Sequence, residues 1–506
     1  DSGQILCSGN WSLSDDAEIP FDLFFQATAV PIEEELQRAL PKEVQYVWDE
    51  LQPSGSIDRV EVQLNKVPGQ PLTTRVAIEE RSETNQQAGR SLRIQPKNFP
   101  LWLSDIDCSI QYEPGRVLIH QASGINGDSR LAIQGECQPQ ADGRWLADIQ
   151  WLPRTRLIVD GQLVRALPKT IRDSLVRIDF RGPVGVLGRS QVLFASETDA
   201  TVSTAWDCQL DIEDGQFGDG KVVGGLRGTL LATGSSDGSS LQTRGSVAMD
   251  ALNVYGVPLT RLRGPYTIAD NLLSFGSEVA STQPAQERQA MTADALTGQL
   301  TIAGVGHLQD GKLILNAELH DAELSGLLRD VGVEKASTQA RCQAKVGFSG
   351  IPWNAQTWNG DGEIHLTDAR LFQLPFMMRL LGTASVNADD DSAFQTADIT
   401  FDIDGDRIPL HIQCEGEVLR LRGEGSMNTR RDIDLQMYTY IGRRPIYSVV
   451  SPLLAESRYA TFMLIEVDGT LDNPNMQRRP FPQIEATLQQ IFPEVAQKKK
   501  MDGLVP

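Results

Sequence analysis

Aromatic residues, positive charge and long apolar runs are all scarce in this chain of 506 residues. Phe, Trp and Tyr make up 6% of it, and 67 acidic against 46 basic residues give a net charge of −21. Phosphate binding needs a basic surface, so we expect no nucleic acid partner. The longest apolar runs, at 99–103 and 374–381, are far shorter than the ~18 residues of a transmembrane helix.

Motifs for catalysis and for cofactor binding are also missing. There is no HExxH, P-loop or Rossmann fingerprint, and the five histidines are scattered. GSSDG at 234–238 matches GxSxG, but it lies in a Gly/Ser run and is typical of a turn. Acidic clusters at 211–220 and 387–392 are either solvated turns or calcium sites, and they lack EF-hand spacing. We predict no enzyme, no cofactor and no metal.

The six cysteines include no CxxC pair. Cys108, Cys137, Cys208 and Cys342 each occupy an apolar position in the alternating pattern of a predicted strand, as small buried hydrophobic residues do. A disulfide between Cys108 and Cys137 remains an alternative.

Strict alternation of apolar and polar residues is the dominant pattern. In ADITFDIDGDRIPLHIQCEG (397–416), Ile399, Phe401 and Ile403 alternate with polar residues before a turn, and Ile408, Leu410 and Ile412 alternate after it. Successive side chains of a strand point to opposite faces, so this hairpin has one apolar face. Similar runs recur along the chain between turn signals such as EPGR, NGDS and QDGK. The sequence therefore predicts a mainly β fold of many short antiparallel strands.

Helical spacing is rare. Residues 31–51 place Leu36, Leu40, Val44 and Val47 on one side, and Pro41 should break this helix. Weaker helix signals occur at 322–331, 371–381, 446–456 and 482–492.

A faint internal repeat organises the first half of the chain. RALPK occurs at 38–42 and 165–169, and ILCSGNW (5–11) is similar to LAIQGEC (131–137). This predicts two copies of one unit, at 5–60 and 131–187, within an N-terminal region that spans residues 1–280. Residues 281–295 are polar and aperiodic, and are predicted to be a loop or linker. A C-terminal β domain would then span 296–482, and a helix with a basic tail 483–506.

Three stretches carry a resemblance to a known family: GDGEIHLTDARLFQLPFMMRLLG (360–382), GEGSMNTRRDIDLQMY (423–438) and VDGTLDNPNMQRRPFP (467–482). From about residue 295 the chain resembles the C-terminal region of AsmA-like proteins (AsmA/TamB/YhdP type). The resemblance implies a long, curved antiparallel sheet that folds like a taco shell around an apolar groove. It also implies an inner-membrane anchor upstream of this chain, a periplasmic or envelope location, and transport of phospholipid between the inner and outer membranes.

The residues expected to line that groove occupy the alternating apolar positions of the predicted C-terminal strands. They are Leu300, Ile302, Leu313, Leu315, Leu319, Ile364, Leu366, Ile399, Phe401, Ile403, Ile408, Leu410, Ile412, Ile433, Leu435, Met437, Met463, Ile465 and Val467. A second segment, at 443–463, combines two arginines with an apolar stretch and is either membrane-proximal or a solvated helix. Its residues are Arg443, Arg444, Ile446, Val449, Val450, Leu453 and Leu454.

Two questions stay open at this point. Alternation alone favours closed packing of sheet on sheet, whereas the resemblance favours an open groove. For function, the expectation is a groove that binds or conducts phospholipid, with other envelope proteins as possible partners. The alternatives are a non-catalytic scaffold that assists assembly of outer-membrane proteins and an adhesin-like β-solenoid.

Overall fold

The chain is mainly β, with a long sheet of many antiparallel strands and four short helices among the residues that the structure describes. The computed structural model describes residues 4–12, 19–40, 42–81, 91–97, 99–167, 169–194, 202–276, 290–323, 341–367, 395–416, 419–441, 461–470 and 473–479. Two compact units divide the chain: Asp1–Ser274 with His307–Asp310, and Phe275–Gly306 with Gly311–Pro506. The prediction of a mainly β fold is confirmed.

The first unit is built from strands interrupted by two helix pairs. Its elements are β1 (Gln4–Trp11), β2 (Phe21–Pro31), α1 (Glu34–Ala39), α2 (Lys42–Leu51), β3 (Ser56–Lys66), β4 (Thr73–Glu80), β5 (Ser104–Glu113), β6 (Arg116–Asn126), β7 (Ser129–Pro139), β8 (Trp145–Trp151), β9 (Arg156–Val159), α3 (Gly161–Ala166), α4 (Lys169–Ile178), β10 (Phe180–Phe194), β11 (Ser203–Phe217), β12 (Val223–Ser236), β13 (Leu241–Val254) and β14 (Val257–Ala269). β15 (Leu272–Phe275) lies at the boundary between the units.

Neighbouring strands of this unit pair antiparallel in chain order from β1 to β8 and from β9 to β14. β8 pairs next with β10, and the short strand β9 pairs with β10 and, at Arg156 and Arg130, with β7. The turns form where the sequence signals them. Gly115 (φ 77°), Gly127 (φ 54°) and Gly143 (φ 84°) take the left-handed conformation that tight turns require.

The predicted break in the helix at 31–51 is confirmed, and the two helix pairs show the repeat. α1 ends at residue 39 and α2 begins at residue 42; α3 and α4 have the same lengths and start 127 residues later. Two left-handed residues follow each pair at matching places: Gln52 and Gly55 after α2, and Asp179 and Gly182 after α4. The copies differ at the helix start, because Asp160 accepts hydrogen bonds from the backbone N–H groups of residues 162 and 163, whereas Glu33 makes no such side-chain cap.

Apolar side chains fill the inner face of the sheet in this part of the first unit. Leu101 and Leu103, from the segment before β5, pack with Ile106 and with Leu163 of α3. A second cluster joins Val60, Val76, Tyr112, Val117 and Trp145 from β3 to β8. Here the protein itself covers the apolar face.

The second unit contains the strands predicted to line the groove. They are β16 (Met291–Ala295), β17 (Gly298–His307), β18 (Leu313–Glu323), β19 (Arg341–Ile351), β20 (Asn354–Thr367), β21 (Thr396–Asp404), β22 (Arg407–Glu415), β23 (Leu419–Asn428), β24 (Ile433–Ile441), β25 (Thr461–Gly469) and β26 (Pro474–Arg479). Each pairs antiparallel with the next along the chain.

β16 corrects one sequence prediction. It occupies the last five residues of the segment 281–295, for which the sequence predicts a loop. Met291, Ala293 and Ala295 are buried and pair with β17 through Ile302, Leu300 and Gly298. The alternation is easily overlooked because alanine, with its small apolar surface, supplies two of the three buried positions.

Other predicted segments fall on parts of the chain outside the described residues. They are the helices at 371–381, 446–456 and 482–492, most of the helix at 322–331, the tail at 483–506 and the acidic cluster at 387–392. The two residues of 322–331 that are described, at its start, belong to β18.

Candidate functional site

The strand registers of the second unit align its apolar residues into rows that run across the sheet. We number four neighbouring rows on one face. Row 1 is Ala322, Cys342, Leu366, Ala397, Cys414, Leu421 and Thr439; row 2 is Leu319, Ala344, Ile364, Ile399, Ile412, Gly423, Met437 and Ile465; row 3 is Ala317, Val346, Gly362, Phe401, Leu410, Gly425, Leu435 and Val467; row 4 is Leu315, Phe348, Gly360, Ile403, Ile408, Met427 and Ile433.

The burial of the side chains on this face differs from one row to the next and from one strand to the next. Every residue of row 1 is buried, from Ala322 (0% exposed) to Thr439 (1%). Rows 2 and 3 are half-buried on β18 to β22. On β24 and β25 the same rows are fully buried, with Met437 at 1% and Ile465 at 0% exposure. An apolar field therefore remains partly exposed on β17–β22. It lies beside the buried row 1, and the strands at both of its ends are buried: β24 and β25 on one side, and β16, with Met291 and Ala293, on the other.

Eleven of the predicted lining residues lie in this half-exposed field or its extension on β17. They are Leu300, Ile302, Leu313, Leu315, Leu319, Ile364, Ile399, Phe401, Ile408, Leu410 and Ile412. Because the rows are continuous across neighbouring strands, the register aligns in one row residues that are far apart in sequence, such as Leu319 at one end of row 2 on β18 and Ile412 four strands away on β22.

Seven predicted lining residues are instead buried by the protein, which corrects their assignment. They are Leu366, Ile403, Ile433, Leu435, Met437, Ile465 and Val467. A side chain with so little exposed area cannot offer surface to a ligand, and these residues belong to the core. Alternation gives the face on which a residue lies, but it does not reveal what packs against that face.

The remaining predicted residues cannot be placed in the same way. Met463 lies opposite Thr439 in the register of β24 and β25, and only its backbone is described. The proposed membrane-proximal residues at 443–454 lie outside the described residues.

Glycines shape the field by letting large side chains lie flat. A Cβ at Gly362 would collide with the ring of Phe401, which crosses it from the neighbouring strand. A Cβ at Gly423 would come within 3.0 Å of the sulfur of Met437. Within the field, the ring of Phe348 in row 4 meets the ring of Trp358 edge to face, with the ring centroids 5.7 Å apart. The glycines leave room for the neighbouring large side chains, and the exposed surface of the field is almost entirely hydrocarbon.

The opposite face of the same strands is polar. Lys345 lies between Glu318 and Glu363, with N–O distances of 3.9 Å to each carboxylate. His365 contacts Asp398, and His411 is exposed. Both histidines therefore lie on the solvated face of the sheet.

Half-exposed apolar positions that the sequence analysis did not name occur in both units. On β18 and β19, Ala317, Ala344, Val346 and Phe348 complete rows 2 to 4. In the first unit, a half-buried row of the same kind crosses β10 to β13. Its members are Val186, Leu210, Leu230 and Val247. The signal for all of them was the alternation itself.

Most of the cysteines are buried, and burial raises the pKa of their thiols. Cys108, Cys208, Cys342 and Cys414 are buried, Cys137 is half-buried, Cys7 is exposed, and all six are free. Burial, followed by the nearby Asp398, raises the pKa of Cys414 to about 12. Burial, followed by Glu80, raises the pKa of Cys108 to about 12. Because Cys108 and Cys137 are both free, the alternative of a disulfide between them is wrong in this structure.

Neither the serine motif nor the acidic residues assemble a reactive centre among the described residues. GSSDG is only partly a turn: its first three residues end β12, and its last two begin the turn to β13. In that turn Asp237 accepts hydrogen bonds from the backbone N–H groups of Ser239 and Ser240. These bonds, that of Ser240 first, lower the pKa of the Asp237 carboxyl. No group of three or more His, Cys, Asp or Glu side chains within the described ranges could hold a metal ion.

No family model, curated protein or solved structure matches this chain. The AsmA-like resemblance therefore stays a prediction carried by the three stretches of sequence quoted above. Within the described residues, no helix has both the length and the apolar character needed to cross a membrane.

Proposed function

We propose that this chain is a bacterial envelope protein whose apolar sheet face binds phospholipid acyl chains and conducts them between the inner and outer membranes. The observation that carries the proposal is the half-exposed apolar field on β17–β22. In a closed sandwich these side chains would be buried as fully as those of row 1.

The dimensions of the field suit an acyl chain. Neighbouring strands lie about 4.8 Å apart, so rows 2 and 3 run for roughly 19 Å from β18 to β22. At ~25 cal/mol per Å² of apolar area, burial of a tail of about sixteen carbons gains on the order of 10 kcal/mol. The rows run across the strands, which gives a tail a continuous apolar path along the sheet.

The chemistry of the field favours movement over tight binding. Its side chains on rows 2 and 3 are aliphatic or aromatic, from Leu319 to Leu410, and none can form a directional hydrogen bond. Specific ligand sites combine apolar walls with a few convergent polar groups that fix orientation. A tail on rows 2 and 3 is held by its area alone and can slide from one strand to the next.

The first test is lipid mass spectrometry on the intact protein. We expect protein purified under mild conditions to carry phospholipid in stoichiometric amounts. A lipid-free protein would contradict the proposal and favour the alternative of a non-catalytic assembly scaffold.

A pair of neighbouring substitutions locates the binding. Ile412→Glu places a charge in row 2, where an acyl chain would leave it without water, and should remove most of the bound lipid. His411→Glu puts the same charge on the exposed polar face of the same strand and should leave the lipid content unchanged. Equal lipid loss in both variants would show that the field is not where lipid binds.

A further inference from the structure

The two helix pairs of the repeat have the same lengths but opposite charge. α1 and α2 together contain five acidic and two basic residues, whereas α3 and α4 contain one acidic and four basic residues. Because the same helices form in both copies, the fold itself does not require either charge. The basic second pair, in a chain of net charge −21, therefore indicates a role other than folding.

Equivalent positions of α2 and α4 show where the charge changes. Three positions that are 127 residues apart change in the same direction, by loss of an acidic residue or gain of a basic one. These pairs are Gln45 and Arg172, Asp49 and Val176, and Glu50 and Arg177. The second copy has thus exchanged acidic for basic and apolar chemistry within a single helix.

Val176 and Arg172 place this chemistry on the surface of α4. Val176 is 62% exposed, whereas its equivalent Asp49 is an exposed carboxylate that accepts a hydrogen bond from Gln37. The Arg172 side chain is 38% exposed, and residues four apart are neighbours on a helix surface. The ion pair of Arg172 with Asp173, at 3.7 Å, is exposed and therefore weak, so an external anion can replace it.

We propose that α3 and α4 form a docking surface for the headgroups of an anionic phospholipid membrane. Basic residues on a surface helix attract anionic lipid, and an apolar side chain beside them enters the boundary between headgroups and acyl chains. An exposed valine at a position where the first copy has aspartate favours this occupant over a strongly acidic polypeptide, to which an aliphatic side chain offers no matching charge.

The net charge of the chain does not oppose this contact. At physiological ionic strength, charges are largely screened beyond about 8 Å, so a membrane responds to the residues that face it. Arg165 of α3 is also exposed and adds to the basic surface. The helix pair belongs to the first unit and the apolar field to the second, and the inference does not rest on acyl-chain binding by that field.

The test is co-sedimentation of the intact protein with vesicles of phosphatidylcholine, with and without phosphatidylglycerol. We expect binding to the anionic vesicles that weakens as salt is added, and at least about tenfold weaker binding to phosphatidylcholine alone. Acyl-chain binding depends on apolar area and would not separate the two vesicle types, so the readout distinguishes this surface from the apolar field.

Substitutions locate the surface. Arg172→Gln/Val176→Asp gives α4 the residues of α2 at two equivalent positions, which the same helix already accommodates in the first copy. Each basic residue near an anionic surface contributes about fivefold in affinity, so this variant should bind anionic vesicles at least about tenfold more weakly, and Arg172→Gln alone about fivefold.

The matched control is Lys221→Gln/Leu72→Asp. It makes the same change in charge at two exposed residues outside the helices and should bind as the unchanged protein does. Circular dichroism and urea unfolding check that every variant remains folded.

Three results would overturn the proposal: equal binding to both vesicle types, unchanged binding in the α4 variants, or an equal loss in the control. A dimer that forms without vesicles and that Arg172→Gln/Val176→Asp dissociates would assign the surface to a second copy of this acidic chain instead. Failure here in a protein that still carries stoichiometric phospholipid would remove the docking surface and leave the acyl-chain field.

Discussion

Two regions of the second unit carry the same alternation but differ in what covers their apolar face. On β21 and β22, Ile399 and Ile412 keep part of their surface exposed. On β24 and β25, Met437 and Ile465 of the same row are fully buried. The pattern of apolar residues along a strand therefore specifies a face, and the surroundings decide whether that face is buried in the core or stays partly exposed.

The largest expected difference concerns thiol reactivity. The thiolate is the reactive form, and with a pKa of about 12 only about one Cys414 thiol in ten thousand is ionised at pH 8. Cys7 is exposed. We expect a thiol reagent to modify Cys7 at least about a thousandfold faster than Cys414 in the native protein, as followed by peptide mass spectrometry.

Two controls accompany this measurement. Cys7→Ser should remove the fast phase, and denaturant should expose all remaining thiols. Rapid modification of native Cys414 would mean that row 1 is open, and the contrast between a closed row and an open field would be lost.

The second difference is in stability. Ile465→Ala removes a fully buried side chain and should lower the free energy of unfolding by about 2–5 kcal/mol. Ile412→Ala, in the same row but half-exposed, should cost about 1 kcal/mol because less area leaves the core. Urea unfolding of both variants measures the difference; equal losses would place Ile412 in a closed core.

The third prediction tests how the field is shaped. Gly362→Ala should destabilise the protein by about 1–3 kcal/mol, because the added methyl group collides with the Phe401 ring. Gly347→Ala is the matched control, since its Cβ would meet only ordinary contacts at 3.5 Å or more. Thermal unfolding compares the two, and a Gly362→Ala protein as stable as Gly347→Ala would show that Phe401 does not lie over the glycine.

The smallest expected effect is on the polar face. Lys345→Gln removes an exposed cation from between Glu318 and Glu363, and exposed ion pairs contribute about 0–1 kcal/mol. We expect unchanged lipid content and a shift of that size in urea unfolding. A loss of bound lipid in this variant would indicate that the polar face, and not the apolar one, contacts lipid.

Local chemistry made the fold class and the turns predictable. The hairpin at 397–416 forms as β21 and β22, with the turn at Gly405 (φ 62°). The helix break at Pro41 and the repeat were readable because proline and the RALPK motif are local signals.

At the candidate site, the sequence predicted the face of the sheet on which each residue lies, but it did not predict how deeply the residue is buried. The alternation of apolar and polar residues placed Ile399 and Ile465 on the apolar face of their strands, and both lie in row 2. Burial depends on elements distant in sequence, so nothing in the alternation separated the half-exposed Ile399 from the buried Ile465. The pairing of β16 was also missed, because two alanines give a weak apolar signal.

The most direct test of the account is site-specific photocrosslinking in cells at two adjacent positions of β22. A photoreactive residue at position 412 faces the apolar field, and one at position 411 faces solvent. We predict a phospholipid adduct, identified by mass spectrometry, at 412 and none at 411. Crosslinks from 412 to protein alone would contradict the account, because the field would then be covered by polypeptide and have no room for an acyl chain.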